Sequence, residues 1–199
     1  KPKGNLVYPL SQHIGAPASP IVVVGDHVLK GQKIAEAGGF VSAPIYASVS
    51  GTVKAIEPHF NPTGAKVNCI VVENDGEYEE VEYAPVKPLA DMTKEEILNA
   101  IGEAGVVGMG GAGFPTRVKL SPKEPEKIDY VIANCAECEP YITADYRRMM
   151  ETPELLVGGM KVVLSLFDNA KGIFAVEDNK PDCIAKLKEL VKDEPRMEV

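Results

Sequence analysis

Apolar and polar positions along the chain follow two different rhythms. From about Ile21 to Val72 the apolar residues are largely β-branched and come in short runs broken by glycine. Ile21-Val22-Val23-Val24 reads as a strand, and Gly25-Asp26-His27 as the turn after it. Gly31-Gln32 makes a second turn, and Ile34-Ala35 resumes extended structure. Ala47-Ser48-Val49 and Thr52-Val53-Lys54-Ala55-Ile56 read as two further strands on either side of Ser50-Gly51. Short strands at regular spacing predict a compact sandwich or barrel.

Beyond Tyr83 the rhythm changes. Tyr-Ala-Pro-Val-Lys-Pro-Leu-Ala-Asp (83–91) is a proline-stiffened connection. Thr93 and Glu96 then have capping-box spacing, which predicts a helix through Ile97, Leu98 and Ile101 that ends near Gly105. Ile128–Ala133 is apolar enough for a buried strand. Thr152-Pro153-Glu154 opens a helix whose apolar residues Leu155, Leu156, Met160, Val163, Leu164 and Phe167 keep helical spacing. Gly172–Val176 predicts another strand, and Ile184, Leu187, Leu190 and Val191 a last helix. Strand, helix, strand, helix at these lengths implies a parallel sheet with crossover helices. The domains expected are therefore an all-β module over 1–85 and an α/β domain over 86–199. Two parallel strands bury their edges poorly, so the α/β part reads as a piece of a longer domain.

Composition narrows the function. A net charge of −8 repels phosphate backbones, and no stretch interleaves Lys and Arg with aromatics, so nucleic acid is not an expected partner. No apolar run reaches the roughly 20 residues that span a bilayer, and Lys1–Asn5 lacks the apolar stretch of a secretory signal. Membrane association would come through partner subunits. Four cysteines in 199 residues do not suggest a disulfide framework, which favours a reducing, cytoplasmic setting.

The densest chemical signal is Gly108-Met109-Gly110-Gly111-Ala112-Gly113-Phe114-Pro115-Thr116-Arg117-Val118-Lys119. Four glycines in six positions leave backbone N–H groups open to an anion, Lys119 adds positive charge, and Phe114 offers a flat apolar face. Gly108, Gly110 and Gly113 formally satisfy G-x-G-x-x-G, yet a helix rather than a strand precedes them, so this is not a Rossmann fingerprint. No Gly-Lys-Ser/Thr follows, which removes the P-loop. Phosphate-cofactor binding and simple tight packing remain the two readings of these residues. In a parallel sheet ligands collect at the carboxyl ends of the strands. Here those ends are Asn134–Pro140 and Glu177–Lys180, both polar and carboxylate-rich.

Gly110-Gly111-Ala112-Gly113-Phe114-Pro115-Thr116 with Lys119 resembles the FMN-binding loop of the flavoprotein subunit of respiratory complex I. Asn134, Glu137, Glu139 and Pro140 resemble that family's second flavin and NADH segment. A closer resemblance is to the C-subunit family of the Rnf complex, an ion-translocating ferredoxin:NAD oxidoreductase. It extends through Pro9–Pro17, Gly39–Pro44, Asn134–Tyr141 and Glu177–Pro181. Val24–Ile34 and Val49–Val53 are also similar to biotinyl and lipoyl carrier domains, but the hairpin tip near Gly38-Gly39-Phe40 holds no lysine to modify. An unmodified docking module is the reading that remains.

The resemblance implies an α/β flavin-binding domain (parallel sheet, incomplete) preceded by a small all-β barrel-sandwich hybrid module. It implies FMN as cofactor and NAD(H) as substrate, with 4Fe-4S clusters only in a C-terminal part beyond these residues. Gly108, Gly110, Gly111, Gly113 and Lys119 would hold the FMN phosphate, and Asn134 the flavin or ribityl chain. Phe114 would stack on the nicotinamide nucleotide, and Glu137 and Glu139 would line its pocket. No residue would be catalytic apart from the flavin, and the Cys135-x-x-Cys138 pair is not expected to bind metal. Met109 and Ala136 stand where complex I has an arginine and an aspartate. Partners would be other Rnf subunits, with ferredoxin as indirect donor, at the cytoplasmic face of the cell membrane. A soluble relative serving a cobalamin or amino-acid reductase, or a non-catalytic docking module, is the alternative, and the 199-residue piece alone is expected to be inactive.

Overall fold

The computed structural model describes residues 1–61, 64–85, 87–109 and 112–199. The chain divides into two compact units, Lys1–Ser121 and Pro122–Val199.

Among the described residues the first unit contains seven strands: β1 (Asn5–Pro9), β2 (Ser19–Pro20), β3 (His27–Val28), β4 (Lys33–Glu36), β5 (Ile45–Tyr46), β6 (Gly51–Phe60) and β7 (Lys66–Asn74). They form an antiparallel sheet of order β1-β7-β6-β3 and a smaller one of order β2-β4-β5. Their apolar faces share a core that includes Leu10, Val28, Ile34, Val49, Val53, Ile70 and Val72. At Gly51 a Cβ would lie 2.0 Å from the Glu73 carbonyl oxygen, so only glycine lets β6 start against β7 there.

Two strand expectations are corrected. Ile21–Val24 is not a strand. The Asp26 carboxylate accepts the Val23 N–H at 2.8 Å and Asp26 N–H returns to Val23 O at 3.1 Å, which curls the segment into a turn. Only Val22 of the four is buried, while Ile21, Val23 and Val24 face outward. Ala47–Val49 is also outside any strand. Ala47 exchanges hydrogen bonds with the Gly31-Gln32 turn (2.8 and 2.9 Å), and Ser48 N–H donates to the Tyr8 hydroxyl at 3.0 Å. The regular strand lies just before it, at Ile45–Tyr46.

The first unit continues well past the proline-rich connection. Helix α1 (Lys94–Glu103) carries the capping box in full: Thr93 Oγ1 accepts the Glu96 N–H, and a Glu96 oxygen accepts the Thr93 N–H at 2.7 Å. A one-turn helix α2 (Thr116–Lys119) follows the glycine loop.

The second unit contains β8 (Tyr130–Asn134), α3 (Ala144–Glu151), α4 (Pro153–Leu164), β9 (Lys171–Ala175), α5 (Pro181–Val191) and β10 (Met197–Glu198). The sheet is parallel, in the order β10-β9-β8. It thus has three strands rather than the two expected. β10 is only two residues long and leaves no periodic signal; Arg196 steers the chain into it by donating to the carbonyls of Phe167 and Ala170. α3 was also not legible, because its charged sequence buries only Met149. α4 lies against β9 where Gly172 leaves room: a Cβ there would sit 2.7 Å from Met160 Sδ. Phe174, Leu187 and Cys183 are fully buried, whereas Tyr130 and Ile132 on β8 are exposed.

Candidate functional site

In the first unit the glycine loop has a defined stem. Val107 and Pro115 form an antiparallel bridge, Gly108 N–H donates to Phe114 O at 2.9 Å, and Thr116 N–H donates to Val106 O at 3.0 Å. Of the described residues between, Gly108 and Ala112 are exposed and Met109 completely so. Gly110 and Gly111, two of the expected phosphate-binding glycines, lie outside the described residues. Gly113 is buried at φ +62°, where a Cβ would meet Gln12 O at 2.9 Å. Phe114 is half-buried, and Lys119 at the end of α2 is exposed. Among the described residues Lys119 has no carboxylate in ion-pair range, so its charge is available. Arg117 is committed elsewhere: it donates to Asn99 Oδ1 at 2.9 Å and its stem lies over Gly102. Beside the loop stem is a cleft of about 230 Å³ lined by Lys33, Glu36, Phe40, Glu103, Pro115 and Arg117. Its charges are mixed, and Lys33 is paired with Glu103.

In the second unit the carboxyl end of β8 carries the other expected residues. Cys135 N–H donates to Ala175 O at 2.9 Å, so the ladder to β9 runs one residue past the strand. Asn134 is exposed, and its side-chain oxygen accepts the Ala136 N–H at 3.1 Å, which turns the chain. Glu139 is exposed beside Tyr141, which has φ +66° and a fully exposed ring. Glu137 points inward instead. Its carboxylate is 6% exposed, accepts the Lys180 ammonium at 2.9 Å, and accepts the Asp145 N–H at the start of α3 at 2.8 Å. Lys180 also reaches Glu177 at 2.7 Å. One ammonium therefore ties together the ends of β8 and β9 and the start of α3. The site residue that sequence reasoning missed is Lys180. Its signal was there, since it ends the carboxylate-rich run after the second strand and precedes the proline that opens α5.

This cluster sets the charge states. The Lys180 hydrogen bond holds Glu137 below the ordinary glutamate range, and Lys180 does the same for Glu177. The two carboxylates in turn raise Lys180. The sign follows by linkage. The lowered Glu137 contributes stability above its ordinary value of 4.5 and loses it as pH falls through the lowered one. The raised Lys180 contributes below its ordinary 10.5 and loses its part as pH rises through the raised one. Between about 4.5 and 10.5 the cluster is fully formed. Lys180→Met is expected to lower Tm at neutral pH and to flatten the fall in Tm on the acid side of 4.5. Thermal melts across that range check it, and equal acid-side slopes for both proteins would contradict it.

The Cys135-x-x-Cys138 pair is divided by burial. Cys138 is exposed, while burial pushes the Cys135 thiol up to about 11, which keeps it protonated and a poor nucleophile. Cys135 acts as a packing residue of the second unit.

Comparison with known proteins bears on both units. A family model of the RnfC barrel sandwich hybrid domain matches residues 1–77, and one of the Nuo51 FMN-binding domain matches residues 101–199. The C subunit of the proton-translocating ferredoxin:NAD(+) oxidoreductase complex of Clostridium ljungdahlii is 48% identical over 181 residues, 90% of this chain and 40% of its own length. The Na(+)-translocating counterpart of Acetobacterium woodii is 43% identical over 195 residues, 98% of this chain and 44% of its own. The C subunit of the ion-translocating oxidoreductase complex of Pseudomonas aeruginosa is 41% identical over 191 residues, 95% of this chain and 25% of its own.

Over nearly its whole length the chain matches the N-terminal part of RnfC subunits. It spans less than half the length of these curated relatives. The flavin-domain match contains both the glycine loop and the strand-end segments described above.

Proposed function

We propose that this chain belongs to the flavoprotein subunit of a membrane-bound, ion-translocating complex that moves electrons between NAD(H) and iron–sulfur clusters or ferredoxin through FMN. The observation that carries this reading is a closed glycine loop with an exposed ammonium at its exit, inside a segment that matches an FMN-binding domain. The residues fit such a group: Gly108, Met109 and Ala112 are exposed, and Lys119 has no other partner among the described residues. The names of the relatives support a ferredoxin:NAD oxidoreductase setting.

FMN, when bound, supplies the junction between two-electron exchange with nicotinamide and one-electron exchange with clusters. Lys119 and the glycine-loop N–H groups near Gly113 would hold the phosphate, the Gly108 N–H being taken by Phe114 O. Asn134 would hydrogen-bond the flavin or ribityl chain, Phe114 would stack on the nicotinamide nucleotide, and Glu139 would face the nucleotide. Glu137 would act through Lys180, keeping the residues after β8 in place, rather than by touching the nucleotide itself. The 4Fe-4S clusters would lie in the remainder of the polypeptide, and the 199-residue chain alone would not turn over. Among the described residues no helix is long and apolar enough to cross a membrane, so other subunits would hold this one at the cytoplasmic face.

Two experiments test this reading. The full-length polypeptide, given FMN, is expected to turn yellow and to bleach when mixed anaerobically with NADH; an unchanged flavin spectrum would remove NADH as the donor. Lys119→Met should weaken FMN binding about tenfold to a hundredfold, the loss of a charged hydrogen bond of about 1.5–3 kcal/mol. Riboflavin has no phosphate, so its binding should not change. Flavin fluorescence titrations separate the two ligands, and an equal loss for both would remove Lys119 from the phosphate.

A further inference from the structure

Three motifs far apart in the sequence meet within the first unit: Ser11–Pro17, Gly39–Pro44 and the glycine loop. His13 stands where they meet and is 7% exposed. Its Nε2 lies 3.1 Å from the Ala43 backbone nitrogen and its Nδ1 lies 3.1 Å from Ile14 O. A backbone N–H can only donate, so Nε2 accepts and the ring proton sits on Nδ1, donating to Ile14 O. Both nitrogens are used within the fold, and neither is left for a metal or a proton-transfer step.

The backbone around His13 touches the glycine loop directly. Ile14 N–H donates to Ala112 O at 2.9 Å. At Gly113 a Cβ would meet Gln12 O at 2.9 Å and His13 Cα at 3.3 Å. The other side of the segment is equally tight. Ala16 N–H donates to Val41 O at 2.9 Å, and Gly15, at φ +103°, has room for no Cβ because Val41 O would be 2.1 Å away. The Gly38–Ser42 turn is closed by Ser42 Oγ, which accepts the Gly38 N–H at 2.9 Å. Residues 12–16 are thus a single layer of backbone between the 41–43 segment and Ala112-Gly113. The His13 ring is the side chain that ties this layer down.

We propose that His13 is a positioning residue for the glycine loop, and that the β-sandwich module serves as the loop's scaffold. Without the imidazole, the Ala43 N–H loses its partner in a buried place, which costs more than the bond itself contributes, and the part-buried bond to the Ile14 carbonyl is lost with it. Segment 12–14 then shifts, and the Ile14–Ala112 bond carries the shift into the loop. The flavin readout of this inference rests on the FMN assignment above; the loop readout does not.

The test uses the full-length polypeptide with His13→Ala, His13→Gln and a control, Val28→Ala, which removes buried core volume elsewhere in the sandwich. His13→Ala is expected to speed amide hydrogen exchange at Ile14 and Gly108. It should also weaken FMN binding about tenfold, the equivalent of about 1.4 kcal/mol. His13→Gln should recover part of both, because its side-chain oxygen can accept the Ala43 N–H. Val28→Ala should lower Tm while leaving Gly108 exchange and FMN affinity alone. The inference is overturned if His13→Ala leaves Gly108 exchange and FMN affinity at wild-type values, or if Val28→Ala changes them as much. If His13→Ala does not fold, His13→Gln decides by the same two readouts, with intermediate values expected and wild-type values overturning. If the wild-type protein binds no FMN, the flavin assignment fails, and Gly108 exchange alone decides for or against His13.

Discussion

Gly113→Val is expected to weaken FMN binding to the full-length polypeptide roughly a hundredfold, equivalent to about 2.7 kcal/mol. Gly113 has φ +62°, and a branched side chain there strains the backbone by about 1–3 kcal/mol. Its Cβ would also lie 2.9 Å from Gln12 O, a backbone atom that cannot swing aside as a side-chain tip can. Either the loop gives way or residues 12–14 do, and Ile14 N–H loses Ala112 O in both cases. Gly113→Asn separates the two causes. Asparagine tolerates a positive φ but still brings a Cβ, so it should bind FMN more tightly than the valine variant and less tightly than wild type. Equilibrium dialysis measures this, and wild-type affinity in Gly113→Asn would show that the contact with Gln12 does not constrain the loop.

The second large effect concerns stability. Phe174→Ala should destabilise the second unit by about 3–5 kcal/mol, the usual cost of deleting a buried phenyl ring. Phe174 is 1% exposed on β9, the central strand of the parallel sheet. Ile132 on the neighbouring strand is 62% exposed, and Ile132→Ala should change stability by less than about 0.5 kcal/mol in the 199-residue chain. The readout is exchange at the Cys135 amide, which is bonded to Ala175 O at the end of the same sheet. A similar loss in both variants would mean that the β8 face carrying Ile132 is packed rather than open.

These two experiments probe features that differ in how visible they were beforehand. The capping box at Thr93 and Glu96 was readable because both of its bonds span three residues and need nothing from elsewhere. The α4 and α5 helices were readable from their apolar stripes, and both begin at a proline. Thr52–Ile56 was readable as a strand, although it contains a bulge between Val53 and Ala55 and β6 runs on to Phe60. Ile21–Val24 looked like a stronger strand and is a turn, because β-branched residues only permit a strand and here the Asp26 carboxylate claims the backbone first. The site divided in the same way. The glycine loop stood out by residue type alone, whereas the inward turn of Glu137 depends on an ammonium 43 residues away.

By itself the sequence determined what local chemistry can state: where helices begin, which segments suit strands, which loop has bare amides, and which family the motifs resemble. Only the tertiary structure decided that the glycine loop is built against the His13 segment of the sandwich unit. It also decided that Glu137 is held by Lys180 and that a two-residue strand joins the parallel sheet. Each of these depends on a hydrogen bond or a close backbone approach between residues distant in the chain. Such contacts leave no periodic trace, because their partners come together only when burial of apolar surface has closed the chain on itself.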